Sequence, residues 1–276
     1  MAKRNERYRK RRRKRRGPRI FLTLLTFCIV IGAIVASLTV FLKVAKIEVR
    51  GAAYYTNEQI IKSSEIQVGD NLFAINKFAV SSKILADFPY LESIKITRRL
   101  PDTFIFDVTE RKPCGYIDTE DQRWIIDRAG YLLERVEKTK QVSGANIIAG
   151  EQLLAPKPGG KINWAEEEKR NALVAVLGEL TSYNLVEKVR EVNVSALYSI
   201  QFTYEDRLKI VIGSTEDIAK KFKMLQAVLP QLAPTDRGTV NLSNAKEARF
   251  APESTQSTPP VGQSVPQGGQ AEQTGQ

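Results

Sequence analysis

The sequence predicts one membrane-spanning helix followed by an extracytoplasmic α+β region. In that region a small strand–helix–helix–strand–strand unit precedes a larger, mostly antiparallel β unit with flanking helices. Three observations predict this. Residues 20–42 form 23 consecutive positions without a charge, directly after a block of Lys and Arg. Beyond them, two-residue alternations and helical spacings succeed one another in short segments divided by Gly, Pro, Asn and Asp. The 276 residues include no His and two Cys, so the outer part must fold on its hydrophobic core, and more than 200 residues suffice for one.

The charge lies almost wholly in the first element. Of 42 Lys and Arg, 12 fall in residues 1–19 against a single acid, Glu6; the other 30 face 30 acids. The +11 of the chain is therefore the +11 of a tail. Its unbroken stretch, Lys10 to Arg16, repels itself and has nothing apolar to bury, so it is expected to be disordered in isolation. As a helix, residues 20–42 reach about 34 Å, enough for a hydrocarbon layer of about 30 Å and too long for a cleaved signal peptide. The excess of Lys and Arg before the run, compared with Lys43, Lys46 and Arg50 after it, puts the N-terminus in the cytoplasm and the rest outside. In that setting Arg11, Arg12, Arg13, Lys14, Arg15 and Arg16 are expected to hold anionic lipid headgroups, at about 1 kcal/mol each, rather than nucleic acid.

Residues 43–112 read as the small unit. Ile47 and Val49 alternate with Lys46, Glu48 and Arg50 in a first strand ended by Gly51. Thr56-Asn57-Glu58-Gln59 is a capping box opening a helix. Gly69-Asp70-Asn71 turns the chain, and Asn76 caps a second helix carrying Phe78, Leu85 and Phe88, with Val80 and Ile84 beside them, closed by Pro89. Ile94 and Ile96, then Phe104, Phe106 and Val108, alternate in two strands joined by a turn at Pro101-Asp102.

This order, with Ile47-Glu48-Val49-Arg50-Gly51, Gly69-Asp70-Asn71-Leu72-Phe73, Leu100-Pro101-Asp102-Thr103 and Val108-Thr109-Glu110-Arg111, resembles the POTRA domain of the FtsQ/DivIB cell-division proteins. The lead-in of basic tail, one span and an immediate strand is similar too. The resemblance continues through residues 113–252. Pro113 to Ile117 is a short strand, and Trp124-Ile125-Ile126, Asp127-Arg128-Ala129-Gly130 and Tyr131-Leu132-Leu133 form a hairpin. A Gly/Pro-rich loop covers residues 149–160. Leu173, Val176, Leu177 and Leu180 mark a helix within 164–183, and strands are expected at 189–194, 199–204 and 208–212. Ile218, Phe222, Leu225 and Leu229 share one face of a further helix. The last strand is expected at 239–242, where Asn241 replaces the Asp usual in the family, followed by Phe250-Ala251-Pro252. Residues 253–276, mostly Gln, Pro, Ser, Thr and Gly, are expected to be a disordered tail.

Catalytic chemistry has little to stand on. Without His, a Ser-His-Asp or Cys-His arrangement and His-ligated metal sites are excluded. Ser243-Asn244-Ala245-Lys246 fits S-x-x-K, but the companion motifs of penicillin-binding proteins are missing. Glu166-Glu167-Glu168 points in different directions around a helix start. Asn193-Val194-Ser195 and Asn241-Leu242-Ser243, formal glycosylation sequons, fall in predicted strands. Small residues at 32/36 and 33/37 offer a possible seat for a partner span. Cys114 is either a small buried apolar residue or a free thiol. No enzyme activity, metal or cofactor is expected.

The resemblance implies a non-enzymatic scaffold of the bacterial divisome. Its partners would be FtsB/DivIC-like and FtsL-like single-span proteins, with the septal wall synthase as a further candidate. The family's mode of binding the FtsB-type partner, strand addition at the last strand, maps the site to Thr239, Val240, Asn241 and Leu242, with Phe250 as an aromatic anchor. A competing reading has Val240 and Leu242 packing inward and Phe250 capping the core. Two other classes compete with the whole assignment: a POTRA-type translocation component, which would need a long β-barrel after the unit, and a tethered cell-wall enzyme.

Overall fold

The computed structural model describes residues 17–253; the Arg/Lys block at 11–16 and the tail after Glu253 lie outside it. Helix α1 runs Gly17–Phe41, about 38 Å at 1.5 Å per residue. Its side chains are described from residue 21 to residue 37, all of them exposed. The expected span at 20–42 extends past both limits. Among the described residues no helix is long and apolar enough to cross a membrane.

After α1 come β1 (Lys46–Arg50), α2 (Asn57–Ser64), α3 (Lys77–Asp87), β2 (Leu91–Arg99) and β3 (Thr103–Glu110), the order expected from the sequence. The sheet runs β1-β3-β2, with β1 parallel to β3 and β2 antiparallel to it. The capping box is present in full: Thr56 Oγ1 accepts the Gln59 N–H, and the Gln59 side chain accepts the Thr56 N–H. Asn76 caps α3 by accepting from the N–H groups of Phe78 and Ala79. The core joins Ile60, Leu72 and Ile84 to Phe104 and Phe106, all fully buried. Phe78, read as one of the apolar residues carried by α3, is 85% exposed, and only Ile84 of that helix is fully buried. Gly51 ends β1 at φ +85, where a Cβ would meet the Val108 carbonyl oxygen at 2.3 Å.

The chain divides into two compact units, of which the described parts are 17–143 with 152–170, and 144–151 with 171–253. In the first, β4 (Pro113–Asp118), β5 (Gln122–Asp127) and β6 (Leu132–Glu137) form an antiparallel meander. It is locked to β3 by a buried ion pair, Arg111 Nη1 to Asp127 Oδ2 at 2.6 Å, with the guanidinium 3.7 Å above the Tyr131 ring. Tyr90 stacks on Tyr54 at 3.9 Å and donates to Glu134 at 3.1 Å; burial, then the bond with Tyr54, pushes its phenol well above the ordinary range. Cys114 is the buried apolar alternative, 5% exposed, its thiol pushed up to about 12 by burial and by Asp127.

The second unit orders its strands β12-β11-β10-β9-β8-β7, from β7 (Ala145–Ile148), β8 (Val189–Asn193), β9 (Ile200–Tyr204), β10 (Leu208–Gly213), β11 (Gly238–Asn241) and β12 (Arg249–Pro252). Two of these, β7 and β12, were not expected. Helix α4 (Glu167–Ser182) and helix α5 (Ile218–Val228) carry buried Leu173, Val176, Leu177, Leu180, Phe222 and Leu225. Phe222 stacks on Phe202 of β9 at 5.9 Å, and Lys221 is drawn in with them to donate to the Ser214 carbonyl at 2.8 Å.

Candidate functional site

The sequence-predicted site residues come together at one margin of the second unit, but in a different order from that expected. Thr239, Val240 and Asn241 lie on β11, which is not an edge. It pairs in parallel with β10 and antiparallel with β12, in the register Thr239↔Ala251, Val240↔Phe250 and Asn241↔Arg249. Val240 and Leu242 are fully buried, as the inward-packing reading held. The exposed last strand is β12.

Backbone directions follow from a few hydrogen bonds. Gly238 N–H donates to Arg207 O at 3.2 Å and Leu242 N–H to Val211 O at 2.8 Å. With a two-residue period, the backbone of Val240 also faces β10. Residues 239 and 241 face β12, and Glu253 N–H continues that ladder to Arg237 O at 2.9 Å. On β12, therefore, Arg249 and Ala251 spend their backbone groups on β11. Phe250 sits in a non-hydrogen-bonded pair, so its N–H and C=O point to the open side. Pro252 has the same parity and has no N–H to offer. The edge thus presents one donor and two acceptors.

The side chains divide accordingly. Phe250 shares the face of its cross-strand partner Val240, the face packed on the core, and is half-buried. Arg249 and Ala251 are exposed on the other face, and Arg249 pairs with Glu247 at 2.6 Å. Phe250 is both a lid on the core margin and an apolar surface continuous with it. The turn into β11 is fixed by Arg207, whose Nη1 donates to the carbonyls of Ala233 at 3.1 Å and Asp236 at 3.0 Å. Gly238, at φ +152, has the Ala251 oxygen 2.2 Å from where a Cβ would stand, so only glycine lets β12 close against β11 there.

Asn241 accepts the Ser243 N–H at 2.9 Å. An Asp would make the same turn, which is why Asn substitutes there without chemical consequence. Ser243 and Lys246 are exposed in the β11–β12 loop, where Ser243 lines a shallow depression with Asn241, Asn244, Glu247 and Arg249. Among the described residues no group of three or more acidic or Cys side chains is placed to hold a metal. Sequence reasoning missed Arg249, Ala251 and Pro252 as edge residues. A signal was present: a Pro ending a short strand-like run marks an edge.

Comparison with known proteins gives a consistent result. A family model described as POTRA domain, FtsQ-type, matches residues 42–111, and one described as cell division protein FtsQ/DivIB, C-terminal, matches residues 115–246. The cell division protein DivIB of Clostridium acetobutylicum is 28% identical over 207 residues, 74% of this chain and 80% of its own. The protein of the same name from Clostridium botulinum is 26% identical over 239 residues, covering 86% of this chain and 92% of its own. The cell division protein FtsQ of Corynebacterium glutamicum is 26% identical over 215 residues, with 76% and 89% covered.

Proposed function

The chain belongs to the FtsQ/DivIB family of cell-division proteins, and on that premise we propose that it is a bitopic scaffold of the divisome that recruits its partners by strand addition at β12. Residues 20–42 span the cell membrane, with the N-terminus in the cytoplasm. The POTRA domain, 43–112, and the β domain, 113–252, stand outside at the septum. Three features support the span: the 23 uncharged residues, an apolar helix exposed all round from residue 21 to 37, and the Thr26 hydroxyl, which donates to the Leu22 carbonyl at 2.7 Å and so meets its own hydrogen-bonding need within the helix. The block Arg11, Arg12, Arg13, Lys14, Arg15 and Arg16 holds anionic headgroups on the inner leaflet.

The observation that carries the partner site is the open backbone of Phe250 beside an apolar ring continuous with the core margin. An FtsB/DivIC-like segment entering as a strand would take the Phe250 N–H and C=O and extend that apolar face. An FtsL-like protein joins through the same assembly, and the septal wall synthase is the next candidate partner.

The test uses the full chain in detergent and an FtsB/DivIC-like protein from the same organism, with wild type compared with Phe250→Pro. The substitution removes the open donor and no ladder bond, and Pro252 already occupies the same parity. Capture is expected to weaken at least ~10-fold while the far-UV circular dichroism is kept, and the Phe250 amide of wild type should exchange more slowly in the complex. Unchanged capture by the folded variant would remove the β12 site.

A further inference from the structure

The chain leaves α1 without a linker. Leu42, the last residue of the uncharged run, accepts from the Leu72 N–H at 2.9 Å. Lys43 bridges to Asn71. Val44 donates to Asp70 O and accepts from Gly69 N–H, both at 2.8 Å, and Ala45 donates to Asp102 O at 2.8 Å. Within four residues the backbone is tied to two loops, 67–76 and 100–102. At no more than ~3.6 Å per residue those ties lie within about 15 Å of the end of the helix, while the headgroup layer of one leaflet is about 5–8 Å deep. If α1 crosses a membrane, these loops stand at its surface or within a few ångströms of it.

The same loops, with the first turn of α3 that follows one of them, carry apolar side chains that the fold leaves outside. Of the seven large hydrophobic residues exposed among the described residues beyond α1, four are here: Val68 at 76%, Phe73 at 55%, Phe78 at 85% and Leu100 at 61%. Scattered singly, such residues need no explanation; gathered on the segments bound to residues 42–45, they do. They are also held firmly. Arg98 donates to Leu72 O at 2.7 Å and to Ile75 O at 2.8 Å, with its guanidinium 5.2 Å over the Phe73 ring. Asn71 accepts the N–H groups of Phe73 and Ala74, and Asn76 those of Phe78 and Ala79. The polar groups of a loop entering a poorly hydrated layer must be satisfied in this internal way. The two carboxylates nearby are engaged as well: Asp70 accepts from Gln67 N–H, and Asp102 from the Thr103 hydroxyl. Lys43 and Arg99 are exposed at the same end, so aromatic and aliphatic side chains are rimmed by cations, the composition of an interfacial anchor.

We propose that this end of the POTRA unit is a membrane-docking surface, with Val68, Phe73, Phe78 and Leu100 entering the phospholipid headgroup layer of the extracytoplasmic leaflet. The proposal rests on the reading of α1 as a span. It makes the POTRA unit a foot planted on the bilayer and not a domain swinging from it.

The test places single tryptophan reporters in the full chain, reconstituted alone in phosphatidylglycerol/phosphatidylethanolamine nanodiscs that contain lipids brominated at shallow or deep acyl positions. The native Trp124 and Trp164 are 4% exposed and supply a common background. The reporters are Phe27→Trp in α1, Phe73→Trp and Leu100→Trp in the loops, and Glu58→Trp at the exposed start of α2. Phe73→Trp and Leu100→Trp are expected to be quenched by shallow bromines at least about threefold more than Glu58→Trp, with deep bromines acting mainly on Phe27→Trp. Quenching of Phe27→Trp alone would leave the span standing and overturn the docking surface, assigning the patch to a protein partner absent from the disc. No quenching at any reporter would overturn both.

Discussion

Two of the strands that end a sheet, β1 and β12, end it differently. In the first unit β1 has a hydrogen-bonded neighbour on one side only, and its centre is Glu48, whose carboxylate accepts from Lys46 at 3.0 Å, Arg50 at 2.9 Å and Arg99 at 2.7 Å. A charged side chain at the centre of an edge strand discourages a further chain from pairing there. In the second unit β12 carries a single ion pair, Arg249 to Glu247, at its beginning, while its centre is Phe250 with its N–H and C=O unspent. Edges are guarded where pairing would be harmful and left bare where pairing is wanted. The contrast supports assigning recognition to β12 on physical grounds that do not depend on family membership.

The largest expected effect comes from confusing an edge with an interior strand. Val240→Pro would remove a buried side chain, a bond to β10 and the partner of a β10 carbonyl, a loss of at least ~3 kcal/mol. Urea unfolding followed by circular dichroism should show the second unit melting early or failing to form. A variant as stable as wild type would mean that β11 is not clamped on both sides. A smaller cost in stability and a sharper test come from Phe250→Lys, which gives β12 the kind of guard that β1 has. The half-buried ring gives up about 1 kcal/mol, whereas capture of the FtsB/DivIC-like protein should fall at least ~10-fold. If capture survives a lysine at the centre of the edge, the edge is not the contact.

The same contrast explains what could be read from the chain. The POTRA half was legible because its signals are local: Thr56 and Gln59 cap within three residues, Asn76 caps the next helix, and Phe104, Phe106 and Val108 alternate over a strand of eight. Phe78 was grouped with the apolar residues of α3, but an apolar residue at helical spacing is not thereby buried, and it stands 85% exposed. The candidate site was half legible. Val240 and Phe250 were named, yet the strand holding Phe250 has one large apolar residue among four and ends in Pro252, too little for alternation to register. Its place outside β11 depends on the Thr239↔Ala251 register, a long-range pairing that no local pattern encodes. Ala145–Ile148 went unseen for the same reason, four residues given strand geometry by their parallel pairing with β8. The exposed ends of both units, the parts proposed to meet other molecules, are thus the parts least written in local sequence.

The smallest expected effect tests the guard on β1. Lys46, then Arg50, together with Arg99, hold the Glu48 carboxyl at about 2, below its ordinary 4.5. A group depressed in the folded state stabilises fully above its unfolded value and loses that contribution as pH falls through the folded one. Wild type should therefore exceed Glu48→Gln in stability by a constant margin from neutral pH down to about 4.5, and the margin should close as pH falls toward about 2. The site is solvent-facing, so added salt should shrink the margin at neutral pH. Urea midpoints of both chains in matched detergent, taken in steps across that window, measure it. A margin that does not change with pH would mean that the glutamate acts by shape or hydrogen bonding alone, and the cage on β1 would then be no electrostatic guard. The difference between the two edges would in that case come down to the bare backbone of Phe250.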